Sequence, residues 1–242
     1  MKSHLAYALR LNFSRSLIEM RPLMIVENVA LRDRIKIFRD RTHAGEVLSA
    51  MLEAYRDSSA VVMGLPGGGL PVAATVADRL SLPSEIAIVS TMTLPWITEV
   101  NYGAVAFDGT VSLNRELISG LDLTQDEIRE EVERTRARVA GRHKRLTRER
   151  PFPKLSFSPV IIIDDGAASG FAVETTIHAV RKAGARQIVV AFPTGHEPVL
   201  RQIACEAETV YCANVRSGRR FAIADAYELW TDMREADLKR VD

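Results

Sequence analysis

The sequence predicts an α/β fold: a central, mostly parallel sheet of about five strands covered by helices, with a small hood beside it. Three observations carry this. In residues 160–214, short apolar runs alternate with segments of helical period: strand 160–164, helix 171–183, strand 188–193, helix 196–206 and strand 209–214. Strands separated by helices require right-handed crossovers and therefore run parallel. Upstream, AVVMGL (60–65) and EIAIVS (85–90) are continuous apolar runs, as expected of strands buried on both faces, and LPVAATVADRL between them reads as a helix. Third, GAVAFDGTVSLN (103–114) sets Asp-Gly between alternating apolar residues, a hairpin signal that fits an antiparallel addition.

Residues 1–28 show no clear pattern and read as an N-terminal arm or extra helix, leaving 29–242 as the main domain. IKIFRDR (35–41) alternates like a half-exposed strand, and HAGEVLSAMLEAYRD (43–57) has helical spacing. Residues 91–103, TMTLPWITEVNYG, read as a loop broken by Pro95, and the hood is expected over roughly 91–120. Thr124 and Glu127 form a capping box at the head of a highly charged helix ending near Leu146, whose charges read as a solvated face. Pro151, Pro153 and Pro159 mark a linker.

Composition narrows the classes. At 242 residues, with 47% apolar and 26% charged, the chain suits one globular domain with additions. A net charge of +1 gives no bulk electrostatic case for nucleic acid or an anionic membrane. No apolar run is long enough to span a bilayer, and Arg10 and Arg15 interrupt the start where a signal peptide would need an apolar core. Cys205 and Cys212 are too few for a disulfide scaffold, so a reduced, cytoplasmic setting is expected.

The candidate site is VIIIDDGAASG (160–170). In an open parallel sheet, ligands sit beyond the carboxyl ends of the strands, and Asp164 and Asp165 stand at such an end. The next five residues, Gly166, Ala167, Ala168, Ser169 and Gly170, are small enough to bring backbone N–H groups close to an anion. The helix that follows adds unpaired N–H groups and a positive dipole end, and Ser169 adds a hydroxyl. Carboxylates beside a phosphate cradle make sense if they accept hydrogen bonds from sugar hydroxyls or hold a divalent ion. The stretch therefore reads as a ribose 5-phosphate site; the plainer alternative is a turn in which one Asp caps the helix and the other is solvated. Pro66, Gly67, Gly68 and Gly69, after the 60–65 run, read either as a second anion-binding loop or as a tight turn.

VIIIDDGAASG resembles the phosphoribosyl pyrophosphate (PRPP) motif of the type I phosphoribosyltransferases: an apolar strand, two acids, small residues, then a hydroxyl residue and glycine. VVMGLPGGGLPVAATVADRL (61–80), FRDRTHAG (38–45) and YGAVAFDGTVSLN (102–114) resemble a subgroup of uncharacterised bacterial and archaeal phosphoribosyltransferases, and the likeness covers roughly 36–235. The resemblance implies a central sheet of the type I phosphoribosyltransferase kind with a small hood subdomain. Residues 166–170 would bind the 5-phosphate, and Pro66 to Gly69 the pyrophosphate. Asp164 and Asp165 would contact the ribose hydroxyls directly or through Mg²⁺, and 91–103 would be a mobile part of the hood. It further implies PRPP and a small nitrogenous substrate as ligands, and a homodimer.

The sequence departs from the subgroup at chemically important places. Gly67 stands where an Arg is usual, Ser90-Thr91 where Arg-Lys is usual, and Ala172 where the motif ends in Thr. Ala168 stands where the 6-oxopurine salvage enzymes carry an Asp base, which argues against hypoxanthine or guanine as substrate. Replacement cations could come from Arg39, Arg41, His43 or a neighbouring subunit. Two alternatives stay open: a non-catalytic PRPP- or nucleotide-binding regulator, and a hydrolase or phosphorylase of phosphoribosyl compounds. His43 and His178 read as structural, and Trp96, Tyr102, Phe221 and Trp230 as packing rather than base stacking.

Overall fold

A computed structural model describes residues 23–94, 97–120, 123–147, 152, 155 and 158–233. Six strands form the central sheet: β1 (Ile25–Glu27), β2 (Val61–Gly64), β3 (Ser84–Ile86), β7 (Pro159–Ile163), β8 (Gln187–His196) and β9 (Thr209–Arg216). Their order is β1-β9-β8-β7-β2-β3, and every neighbouring pair is parallel. A separate antiparallel sheet, the hood, contains β4 (Val89–Leu94), β5 (Ile97–Ala106) and β6 (Val111–Leu113). The helices are α1 (Arg41–Met51), α2 (Gly69–Leu80), α3 (Arg115–Ser119), α4 (Gln125–Thr147), α5 (Phe171–Lys182) and α6 (Glu197–Ala204). None of the helices among the described residues is long and apolar enough to cross a membrane.

The continuous apolar runs exist because the sheet is covered on both faces. Ile161, Ile163 and Val189 pack with Leu48 of α1, with Leu52 at its C-terminal cap, and with Val72, Val76 and Leu80 of α2. Their sequence neighbours Val160, Ile162 and Val190 point the other way, into Val173 and Ile177 of α5 and Leu200 and Ile203 of α6. Successive strand residues face opposite sides, so every position of β7 from Val160 to Ile163 is fully buried. Each such side chain contributes about 2 kcal/mol.

Several expectations are corrected. The sheet has six strands rather than five, because residues 25–27, within the segment read as an arm or helix, pair with β9 as an edge strand. Residues 35–41 are not a strand: Lys36 has a left-handed φ of 49°, and only Phe38 makes a bridge, to Tyr227. The N–H groups of Lys36, Ile37 and Phe38 instead donate to the carbonyls of Asp225 and Ala226. The run 85–90 is divided: the last bond to the central sheet is Ala87 N–H to Gly64 O, and Val89 already belongs to the hood. The loop expected over 91–103 is largely strand, in β4 and β5. Its Thr-Met-Thr-Leu alternation buries Met92 and Leu94 in the cluster that holds Val139 and Leu146 of α4, and leaves Thr91 and Thr93 partly exposed. Pro95 and Trp96 fall outside the described residues.

Other elements form as their sequence indicates. Asp108 and Gly109 close the β5–β6 hairpin, with Gly109 at φ 82° and Asp108 accepting from the N–H and hydroxyl of Thr110. The capping box is made on both sides: Glu127 accepts from the N–H and hydroxyl of Thr124, and Glu127 N–H donates to the Thr124 hydroxyl.

The buried amide of Asn214 in β9 ties down the segment leading into α1. It accepts from the Thr194 hydroxyl at 2.7 Å and donates to the carbonyls of Leu31 and, at 3.2 Å, Arg34. Asn214→Leu leaves two carbonyls without their donor and is expected to cost about 2 kcal/mol. In a chain of this length that lowers Tm by about 5 °C in differential scanning calorimetry; an unchanged Tm would show that the segment is held by other contacts.

Candidate functional site

Strands β2 and β7 are neighbours, with Gly64 in register with Ile163, so their carboxyl ends lie side by side. The turn 65–68 leaves β2 and opens α2; the turn 164–170 leaves β7 and opens α5. Both helices start on a glycine, Gly68 and Gly170, with no side-chain cap on the first-turn N–H groups. Two sets of donors at helix starts, with their dipole ends, therefore open at the same edge of the sheet.

The glycine turn is pressed against the carboxylates. A Cβ on Gly68 would lie 1.7 Å from Asp165 Oδ2 and 2.6 Å from Arg41 Nε, and one on Gly69 would lie 2.8 Å from Asp164 Oδ1. Only glycine fits at these two positions. Gly67 differs: it sits at φ 109° with nothing within 4 Å, so its backbone conformation, not crowding, selects glycine. The close packing at this turn is against the protein's own carboxylates.

The two acids have unequal surroundings. Asp165 is buried and accepts from Arg41 Nε at 2.8 Å, with both side chains only about a tenth exposed. Arg41 is the first residue of α1, placed by the cap of Asp40 on His43 N–H. Its Nη1 donates to Thr231 O at 2.9 Å, and its guanidinium lies 4.2 Å from the Trp230 ring centroid. Asp164 accepts from the N–H of Asp165 at 2.9 Å. Burial, then the charge of Asp165, pushes the Asp164 carboxyl well above the usual range. Burial also raises Asp165, against the opposing pull of Arg41. Tyr227 donates its hydroxyl to Asp165 O at 2.7 Å, and burial pushes its phenol far up, so it stays neutral.

The 166–170 loop is pinned to β8: Ala167 N–H donates to Thr194 O and His196 N–H to Ala167 O, both at 3.0 Å. Gly166 is packed against Ile223, leaving Ala168 and Ser169 exposed. Asn101 of the hood reaches Ser169 Oγ at 3.5 Å.

The structure brings Asp164, Asp165, 166–170 and 66–69 together, and of the proposed replacement cations it brings Arg41. Arg39 pairs with Asp40 at the surface, and His43 accepts from Arg39 N–H, a structural role as expected. Ser90 accepts from Arg142 of α4 at 3.1 Å, and Arg138 donates to Thr91 O at 3.4 Å while pairing with Glu131. The α4 charges read as a solvated face thus include two that dock on the hood. Tyr102 is core, Phe221 stacks on His196, and Trp230 packs on Arg41. Asn101 and Tyr227 were missed as site neighbours; no local pattern in the sequence marks either. Among the described residues no three His, Cys, Asp or Glu side chains converge as a metal site. One or two carboxylates are a donor set that suits Mg²⁺ held mainly by substrate oxygens and water.

By fold this is an α/β protein with a parallel sheet and a site at its strand ends. No family model matches the chain. Over 198 residues, 81% of the chain, it is 31% identical to "Putative phosphoribosyl transferase Rv0571c" of Mycobacterium tuberculosis H37Rv, and equally to the counterpart in strain CDC 1551. The chain spans 44% of the length of these curated relatives. The crystal structure of TT1426 from Thermus thermophilus overlays with a TM-score of 0.68 at 30% identity, covering 83% of this chain and 94% of that one. The chain belongs to the phosphoribosyl transferase family of these relatives.

Two outcomes follow from the geometry. Gly68→Ala is expected to displace the Arg41–Asp165 pair and to cost about 3 kcal/mol, the scale of breaking a buried ion pair; urea unfolding reads this, and an unaltered midpoint would refute the close packing. Asp164→Asn is expected to raise Tm at neutral pH. The folded-state pKa of Asp164 lies above its unfolded value, so the stability of its protonated form is fully present below about pH 4 and lost as pH rises through the folded pKa. The Tm gain of Asp164→Asn over wild type is therefore small near pH 4 and grows toward pH 7; a gain that shrinks with rising pH would contradict the buried, charge-crowded carboxyl.

Proposed function

We propose that the chain is a phosphoribosyltransferase that uses PRPP and Mg²⁺ to transfer a phosphoribosyl group to a small nitrogen nucleophile, releasing pyrophosphate. The observation that carries this is the contact of Gly68 and Gly69 with Asp165 and Asp164, which joins the two helix-opening turns into one cradle with acids at its centre. The first-turn N–H groups of α5 and the Ser169 hydroxyl suit the 5-phosphate. The acids suit the ribose hydroxyls, and the 66–69 turn suits the pyrophosphate. Asn101 supports a role for the hood in closing over the phosphate end.

The bond from the anomeric carbon to pyrophosphate breaks as the bond to nitrogen forms, through an oxocarbenium-like transition state, and the nitrogen loses a proton. The protein's tasks are positioning, excluding water and offering N–H groups to the departing oxygens. Mg²⁺, held near Asp164 and Asp165 directly or through water, would neutralise part of the pyrophosphate charge. Ala168 offers no base, so the proton is expected to leave to the nucleophile's own surroundings or to water. The reading includes a cytoplasmic homodimer, the first supported by two free cysteines and the second by family resemblance.

A second reading, a non-catalytic PRPP or nucleotide sensor, is favoured by one observation: Arg41, the cation beside the acids, is committed to Asp165, while Gly67 and Ser90 bring no charge. Calorimetric titration separates the two. Mg-PRPP binding much more tightly than ribose 5-phosphate supports transfer, and pyrophosphate release with a panel of nitrogenous acceptors would establish it. Equal affinity for both ligands favours the sensor, and binding of neither overturns both readings.

A further inference from the structure

The hood and α4 enclose a second cavity, away from the strand-end site. Its volume is about 620 Å³, and it lies between the Asp108–Gly109 hairpin and the second half of α4. Asp108, beside it, pairs at 3.0 Å with Lys182, the last residue of α5. The 166–170 loop opens the other end of that helix, about 16 Å away at 1.5 Å per residue. We propose that this groove is a second ligand site, for a small molecule that joins a flat apolar ring system to one acidic group. The proposal does not depend on the phosphoribosyl reading.

The floor of the groove is apolar. Val105 of β5 and Val139 of α4 line it and belong to one buried cluster, on which Phe107 packs. The Phe107 ring is stacked on Phe152, with centroids 3.9 Å apart and planes 16° from parallel, so this wall is held in place. Between these larger residues the lining is Ala106, Ala140 and Gly141. Side chains that stop at Cβ or before it leave a shallow slot that suits a flat ring. The volume falls within the range of small-ligand sites, about 300–1,000 Å³.

Packing does not account for Gly141. Glycine weakens a helix interior, and Gly141 is not among the residues with positive φ. A Cβ there would meet only Arg145 Nη1, at an ordinary 3.4 Å. A side chain would therefore fit, and its absence keeps the groove open on the helix side.

The rim is basic. Arg136 and Lys144 stand one turn before and one turn after Ala140, and His143 lines the groove beside them. No Asp or Glu lines it among the described residues. The acids nearby are engaged elsewhere: Asp108 accepts from Thr110 and pairs with Lys182, and Glu133 pairs with Arg136 at 3.1 Å. The Glu133–Arg136 pair is exposed on both sides, and exposed pairs are weak, so Arg136 is able to turn to an anion in the groove. An uncharged apolar ligand would leave the basic rim unused, and an inorganic anion would leave the apolar floor wet. A ligand with both parts satisfies both.

The test uses two fluorescent probes that share a ring system: 8-anilinonaphthalene-1-sulfonate, and N-phenyl-1-naphthylamine, which lacks the sulfonate. Each is titrated into folded protein at neutral pH, with Tm recorded for every variant. Wild type is expected to bind the sulfonate at one site per chain, at least about tenfold more tightly than the neutral probe, the scale of one hydrogen bond to a charged group. Arg136→Gln/Lys144→Gln should bring the two affinities together with little change in Tm, because both side chains are exposed. Ala140→Leu, at an exposed helix position, should weaken both probes by about tenfold or more without loss of Tm. Ribose 5-phosphate should not displace either probe. Equal wild-type affinities, or a ratio unmoved by the double substitution, would overturn the acidic part of the ligand class. Full affinity in Ala140→Leu, or displacement by ribose 5-phosphate, would put the probes elsewhere and overturn the site. None of these outcomes bears on the phosphoribosyl reading, which the Mg-PRPP titration decides separately.

Discussion

Two carboxylates on consecutive residues at the end of a fully buried strand cannot both be ionised there without a partner, and the parts around them answer that constraint. Like charges in a desolvated site repel and are costly to hold. Arg41 supplies the compensating charge, but an arginine held in one geometry must itself be fixed. The cap of Asp40 sets where α1 begins, the Trp230 ring covers the guanidinium, and the carbonyl of Thr231 takes a second N–H. The C-terminal segment is thus required by a motif some sixty residues earlier, as Tyr227 bonding to Asp165 O across 62 positions illustrates.

The same constraint gives the glycine turn a double meaning. Three glycines after a strand suggest backbone donors facing an anion. Gly68 and Gly69 are also needed because the carboxylates and Arg41 occupy the space a side chain would fill. The turn and the acids are therefore built against each other as a single packed unit.

The hood is attached differently. The strand run that begins at β3 crosses from the central sheet to the hood between Ile86 and Val89, and α4 packs Val139 and Leu146 under the hood while two of its arginines bond to residues 89–91. Ser90 carries no charge, but its hydroxyl accepts a hydrogen bond from the Arg142 guanidinium of α4. Contact with the 166–170 loop is made through Asn101 and Ser169. The hood is also anchored on α5: Val89 and Ala104 enter the cluster that holds Val173, Ile177 and Val180, and Asp108 pairs with Lys182 at 3.0 Å.

Local chemistry makes these features legible in the chain: runs buried on two faces for β2, β7, β8 and β9, helical periods for α1, α2 and α5, the Asp-Gly hairpin, the Thr124–Glu127 box, and a motif placing Asp164 and Asp165 before a run of small residues. These signals depend on neighbours within a few positions. The strand at 25–27 leaves no sequence signal because three edge residues carry too short a period, and most of β4 reads as loop because Pro95 outweighs the alternation before it. The irregular path of 35–41 was hidden because its hydrogen bonds go to 225–226. Tertiary structure alone decided which acid is paired, that Arg41 rather than Arg39 or His43 reaches the site, and that Tyr227, Trp230 and Ile223 enclose it. The physical reason is that charge compensation and close packing act through space, between residues whose separation along the chain leaves no periodic trace.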